Sequence, residues 1–230
     1  MNMGKLQKLF IVFSFLVFPV FCFGISNQKP KLIALSFDDG PHTTYTEEVL
    51  AVLKKNNIKA TFFVMGGCVH NHPDLLQKEY EDGNAIGNHT YTHPNLSKLS
   101  DAAVAKELTR ADDIIYKTIH VRPAIFRPPY GACSANCTAT ANRLGIKKVT
   151  WSYLVNDWDV DKTSSDIIAT SLIKHAYPGA ILAMHDGSGN RQKTVDALPR
   201  VIATLKNKGY QFVTIPELLK IQPYRNENRS

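Results

Sequence analysis

No Gly/Ser-rich linker, charge block or internal repeat interrupts the 230 residues. Nothing therefore marks a second domain, and the length suits one α/β domain. Nor does any apolar run reach the ~20 residues that a membrane-spanning helix needs. The nearest is Leu9 to Phe23, preceded by Lys5 and Lys8, and a charged start before a short apolar stretch is the pattern of an export signal. Cys22 and Gly24 place small residues at the −3 and −1 positions of a cleavage after Gly24. The expected organisation is a signal segment over 1–24 and a single domain over 25–230, exported to the periplasm or cell exterior with no permanent span. An uncleaved anchor is the alternative, and the bulky Phe21 disfavours a lipid anchor on Cys22.

Clustered basic charge is also missing. The formal net charge is +7 and includes Lys5 and Lys8, so the exported chain is only mildly basic. Its Lys and Arg residues are scattered, which excludes a nucleic-acid groove as the main partner and is compatible with an anionic envelope surface. Cysteine is scarce, at four residues. Beyond the signal segment lie Cys68, Cys133 and Cys137. In an oxidising compartment Cys133 and Cys137 are expected to close a small disulfide, since zinc binding by that pair would need two further ligands. Cys68 reads as a small buried residue.

Strand-like and helix-like segments alternate along what remains. Leu32–Phe37, Thr61–Met65, Ala85-Ile86, Ala124–Phe126, Lys148–Trp151, Ile181–Met184 and Gln211–Thr214 read as strands. Thr44–Asn56, Asp74–Glu81 and a segment capped by Ser100 and running to about Thr118 read as helices. This order predicts an α/β fold with a mostly parallel sheet of about seven strands and outer helices, closed like a barrel. Gly66-Gly67 is expected to stop the second strand, and the polar tail from Tyr224 to Ser230 to fray.

The chemistry-bearing residues collect where these strands end, which in a (β/α) barrel is where active sites are built. Asp38 and Asp39 follow the first strand. As neighbours they would face opposite ways in a strand, but Gly40-Pro41 supplies a turn that lets both reach one site. His89 and His93 have i,i+4 spacing, and Pro94 disfavours helix at His93, so a loop is expected. One carboxylate and two imidazoles form a three-ligand set for a catalytic metal with a position left for water, and the neighbouring carboxylate is free to act as base. Arg127-Pro128-Pro129-Tyr130-Gly131 is a stiff segment suited to presenting an oxyanion-binding N–H. Asp157 and Trp158 lie a few residues beyond another strand, and an indole offers an apolar wall to a sugar ring or acetyl methyl. His185 ends the Ile181–Met184 strand and suits a general acid near neutral pH. Of the other histidines only His42 lies close to a motif; His70, His72, His120 and His175 read as surface residues.

Five segments occur in the order found in polysaccharide deacetylases, the NodB homology domain of family-four carbohydrate esterases. They are Ser36-Phe37-Asp38-Asp39-Gly40, His89-Thr90-Tyr91-Thr92-His93-Pro94, Arg127-Pro128-Pro129-Tyr130-Gly131, Asp157-Trp158 and Ile181-Leu182-Ala183-Met184-His185-Asp186. The chain resembles this family over roughly residues 31–219. The resemblance implies a deformed (β/α) barrel that removes N-acetyl groups from N-acetylglucosamine units of a glycan: peptidoglycan, a chitin oligomer or another poly-N-acetylglucosamine. It implies that Asp39, His89 and His93 hold one divalent metal, usually zinc and sometimes cobalt or manganese. By the same analogy Asp38 is the base, oriented by Arg127, and the Tyr130 N–H holds the oxyanion. His185 is the acid with Asp157 beside it, and Trp158, Leu182 and Ala183 line the substrate pocket. A monomer is expected.

Two positions depart from the family pattern. A leucine is usual where Ala183 stands, so Ala183 is expected to widen the acyl pocket. An aspartate is usual where Leu154 stands, which is expected to alter a supporting hydrogen bond. Alternative readings are an O-acetyl esterase on xylan-like polysaccharide, a silent glycan-binding domain and a metal-stabilised envelope protein.

Overall fold

The computed structural model describes residues 29–225. The expected signal segment over 1–24 lies outside them, as do residues 226–230. In chain order the elements are β1 (Lys31–Asp38), α1 (Tyr45–Lys55), β2 (Thr61–Val64), α2 (Gly66–Asn71), α3 (Pro73–Glu81), β3 (Ala85–Asn88), α4 (Asp101–Ile119), β4 (Arg122–Pro123), β5 (Ile125–Phe126) and α5 (Ala135–Arg143). They continue with β6 (Lys147–Lys148), β7 (Tyr153–Leu154), α6 (Ser165–Lys174), β8 (Ile181–His185), α7 (Gln192–Asn207), β9 (Tyr210–Phe212), α8 (Ile215–Leu219) and β10 (Tyr224–Arg225).

The sheet runs β6-β5-β3-β2-β1-β8-β7, with β9 beside the first residues of β1. All its pairings are parallel. The two ends of the path, β6 and β7, are consecutive in the chain, so the sheet curls into a barrel whose wall is broken between them. This is the deformed (β/α) barrel expected from the sequence. Strand β1 is central because its apolar run is covered on both faces. Ile33, Leu35 and Phe37 pack outward among the helices, while Ala34 joins Phe63, Ile125, Val149, Ile181 and Ile215 in a separate inner cluster. The period of two that separates these sets also turns Ser36 and Asp38 inward.

Several expectations change on contact with the structure. Strand β2 stops at Val64, just before the two glycines as expected, and Gly66 and Gly67 open α2. A Cβ on Gly66 would lie 2.5 Å from the Tyr91 ring and 2.9 Å from the Ala111 Cα, so only glycine lets α2 approach α4 this closely. Strand β7 was not expected, and Val149-Thr150-Trp151 leaves the sheet after the short β6. Tyr224 and Arg225 are not a frayed tail: β10 pairs antiparallel with β4, and buried Asp112 on α4 takes hydrogen bonds from both Arg122 and Arg225. Ser100 caps α4, accepting the Ala103 N–H at 3.3 Å. Cys133 and Cys137 are joined as a disulfide, Cα to Cα 5.4 Å, at the start of α5. Among the described residues no helix is long and apolar enough to cross a membrane.

Candidate active site

Strand ends β1, β3, β5 and β8 bring the expected chemical residues to one rim, around a cavity of about 380 Å³. Asp38 is the last residue of β1 and points inward. Asp39 has a φ of 75°, a left-handed conformation uncommon outside glycine. That turn lets two adjacent carboxylates face one cavity, which a continued strand would forbid.

His89 Nε2 lies 3.3 Å and His93 Nε2 3.2 Å from Asp39 Oδ1. His89 Nδ1 is 2.7 Å from the Arg127 carbonyl oxygen. A carbonyl only accepts, so Nδ1 carries the proton and Nε2 turns a lone pair toward Asp39. Asp39 Oδ1 is buried and makes no hydrogen bond. Acceptor atoms therefore converge with nothing between them to satisfy them, and a cation resolves this. The 3.2–3.3 Å spacings match the ligand-to-ligand edge of a tetrahedral site with bonds of about 2.0–2.1 Å. These are the only such three-ligand group among the described residues.

The loop carrying both histidines is a bent segment, as Pro94 requires, with His93 at φ 60°. Its geometry is pinned by hydrogen bonds. Thr90 Oγ1 accepts the His93 N–H at 3.1 Å, and Asn88 Oδ1 accepts the Thr90 N–H at 2.8 Å. Glu107, on α4, accepts the N–H groups of Tyr91 and Thr92 at 3.0 and 2.8 Å and the Thr92 hydroxyl at 2.9 Å.

Asp38 takes a different partner. Arg127 Nη1 donates to its Oδ1 at 2.7 Å and to Ser36 Oγ at 2.9 Å, and Nη2 reaches the Thr150 carbonyl at 3.2 Å. Arg127 is fully buried, with its guanidinium 4.1 Å from the Phe63 ring centre. Burial lowers its pKa against the opposing pull of Asp38. Removing one member of a buried pair like this strands the other, which typically costs about 3–5 kcal/mol.

On β8, His185 Nδ1 meets Asp157 Oδ1 at 2.6 Å, and the His185 N–H donates to Asp157 Oδ2 at 2.8 Å. Thr194 Oγ1, on α7, donates to the same Oδ2 at 2.8 Å. Asp157 is thus fixed, and His185 Nε2 is left for the cavity. Burial works against the charged imidazole, but Asp157 first, then Asp38 and Asp39, raise its pKa above the ordinary value.

Tyr130 has a φ of 58°. Pro128 and Pro129 have no N–H, so Tyr130 carries the first backbone donor after Arg127. Its ring is 70 % exposed and Trp158 is 49 % exposed, which leaves both rings at the cavity mouth, where a sugar could stack. Trp158 stands edge-on to His185 with ring centres 5.5 Å apart.

Two expected pocket residues are not brought to the cavity. Leu182 packs outward in the main core and Ala183 is fully buried. Adjacent strand residues face opposite ways, so the two cannot line one pocket. Leu154 does line it, together with Trp151 and Arg191. His42 is structural: its Nδ1 accepts the Thr44 N–H at 3.2 Å at the start of α1, and its ring stacks on Tyr45. Cys68 is half-buried, its Sγ 3.7 Å from the Asp39 carbonyl, and burial pushes its thiol up to about 11.

Residues the sequence reading gave no part are Ser36, Thr194, Glu107, Arg191 and Asp186. Ser36 was the accessible one, because it shares the inward face with Asp38 at i,i+2. Asp186 is fully buried behind Asp39 and bonded by Thr46. Burial first, then the Asp39 and Asp38 charges, push it up to about 7.

A barrel rim holding a metal-type ligand set, a buried Asp–Arg pair and an Asp-supported histidine defines the class of a hydrolase. The comparisons place it further. Residues 25–149 match the family model described as polysaccharide deacetylase, and the chain belongs to that family. A peptidoglycan-N-acetylglucosamine deacetylase of Bacillus cereus is 34 % identical over 194 residues, 84 % of this chain and 70 % of its own. A bifunctional xylanase/deacetylase of Pseudobutyrivibrio xylanivorans is 38 % identical over 86 % of this chain but 32 % of its own. Among solved structures, a peptidoglycan N-acetylglucosamine deacetylase complexed with a hydroxamate superposes with a TM-score of 0.82 at 34 % identity, over 85 % of this chain and 91 % of that one. A Bacillus anthracis protein described as a pseudoenzyme of the same family gives 0.76 at 28 % identity, over 83 % of this chain and 66 % of its own. The fold alone therefore does not carry activity; the rim residues must.

Proposed function

We propose that this chain is a divalent-metal-dependent N-deacetylase acting on N-acetylglucosamine units of an envelope glycan such as peptidoglycan, outside the cytoplasm. The observation that carries the reading is the division of the Asp38-Asp39 pair, one carboxylate turned to two histidines and the other to Arg127. The relatives named for peptidoglycan deacetylation support the substrate class.

Asp39, His89 and His93 would hold the metal. When bound, a divalent ion such as zinc supplies Lewis-acid polarisation of the acyl carbonyl and acidifies water. Asp38, held by Arg127, takes the proton of the attacking water. The Tyr130 N–H offers a hydrogen bond to the developing oxyanion. His185, whose charged form Asp157 favours, gives its proton to the departing amine, which is a poor leaving group without one.

The sign of the pH dependence follows. The working form of His185 is protonated, so turnover falls as pH rises through its raised pKa. Asp157→Asn removes the largest raising influence and moves the alkaline limb of kcat to lower pH. An alkaline limb unmoved in that variant would assign it to another group.

The similarity to a xylanase/deacetylase makes O-acetyl xylan the second substrate to test. Release of acetate from N-acetylglucosamine oligomers and not from O-acetylated xylan supports the N-deacetylase reading; the reverse preference replaces it.

A further inference from the structure

One aliphatic side chain in the cavity is placed to decide which acyl group fits. Strands β7 and β8 pair with Leu154 opposite Ala183, and the Val155 N–H donates to the Ala183 carbonyl at 3.2 Å. On the other side of β8, Ala183 lies opposite Ser36 of β1. Paired residues of neighbouring strands project to the same face, so Ser36, Ala183 and Leu154 form one inward row. Ser36 accepts from Arg127. Ala183, the smallest member, has no exposed surface. Leu154 is only partly buried and reaches the cavity wall beside Trp151, Trp158 and His185.

The remaining walls are unsuited to an acyl tail. Asp38, Asp39, His89 and His93 are polar and converge on the reacting carbonyl. A methyl group attached to that carbonyl finds apolar surface toward Leu154, the two indoles and Pro128, with the Tyr130 ring out at the mouth.

We propose that Leu154 sets the length of acyl group this site accepts, admitting acetyl and blocking propionyl, while Ala183 has no direct part. The proposal rests on the deacetylase reading for its natural substrate, but the wall itself can be probed without turnover. It reverses the expectation from sequence that position 183 controls the pocket. A leucine at 183 would be inserted into the inward row beside Ser36, where the alanine side chain has no exposed surface.

The test compares wild type, Leu154→Ala, Leu154→Val and Ala183→Leu, each zinc-loaded. Release of acetate and propionate from N-acetyl and N-propionyl glucosamine oligomers is measured, and so is binding of acetohydroxamate and propionohydroxamate. One methylene in a closed apolar pocket is worth roughly 10-fold or more in discrimination. Leu154→Ala is expected to raise the propionyl-to-acetyl ratio about 10-fold in both assays, with Leu154→Val between it and wild type. Ala183→Leu is expected to lower the melting temperature without raising acetyl preference. Unchanged ratios in both Leu154 variants, or a ratio that follows position 183 instead, overturn the proposal. If no oligomer releases any acyl acid, the deacetylase reading falls, and the hydroxamate ratios still decide the wall.

Discussion

Asp38→Asn is expected to keep one zinc per chain and lose turnover by roughly 10²–10⁴-fold, the usual value of a positioned general base. Asparagine preserves the shape of the carboxylate and its Oδ1 can still accept from Arg127, so the hydrogen bond survives although the buried guanidinium loses its counter-charge. What it cannot do is take a proton. Asp38 belongs to no ligand group, since the converging atoms come from Asp39, His89 and His93. Metal content by mass spectrometry and kcat on an N-acetylglucosamine oligomer check the result together. Equal loss of zinc in Asp38→Asn and Asp39→Asn would end the division of labour between the two carboxylates.

His93→Ala is expected to lose metal and turnover together. Altering a group that merely supports a ligand typically costs 10–100-fold in metal affinity, and deleting a ligand should cost more than about 10²-fold. His93 is the appropriate choice because its side chain is 21 % exposed against 3 % for His89. His89 also holds the Arg127 carbonyl, so its removal would disturb the fold as well as the ligand set. Full turnover with stoichiometric zinc in His93→Ala would remove it from the site.

Much of this architecture could be read in the chain because local signals agreed with tertiary demands. Leu32–Phe37 differs from β1 by one residue at each end, since a short apolar run covered on both faces suits a central parallel strand. The motif residues at strand ends were equally accessible. The missed elements are those held by partners elsewhere. Tyr153-Leu154 becomes a strand only because β8 lies beside it. Tyr224-Arg225 looks like a polar tail until Asp112 and β4 are placed against it. The supports of the site are hidden for the same reason: Glu107 reaches the histidine loop from α4, and Thr194 reaches Asp157 from α7. The reading of Leu182 with Ala183 failed on a local rule, the two-residue alternation of a strand. That alternation already forbids both from facing one pocket.

The central claim is that Asp39, His89 and His93 hold a metal on which deacetylation depends. The direct measurement is acetate release from an N-acetylglucosamine oligomer by metal-stripped protein as zinc is added back. Release is predicted to be negligible at the start, to rise in proportion to zinc and to level off at one equivalent. Undiminished release from the stripped protein, or none at full zinc loading, would contradict the account.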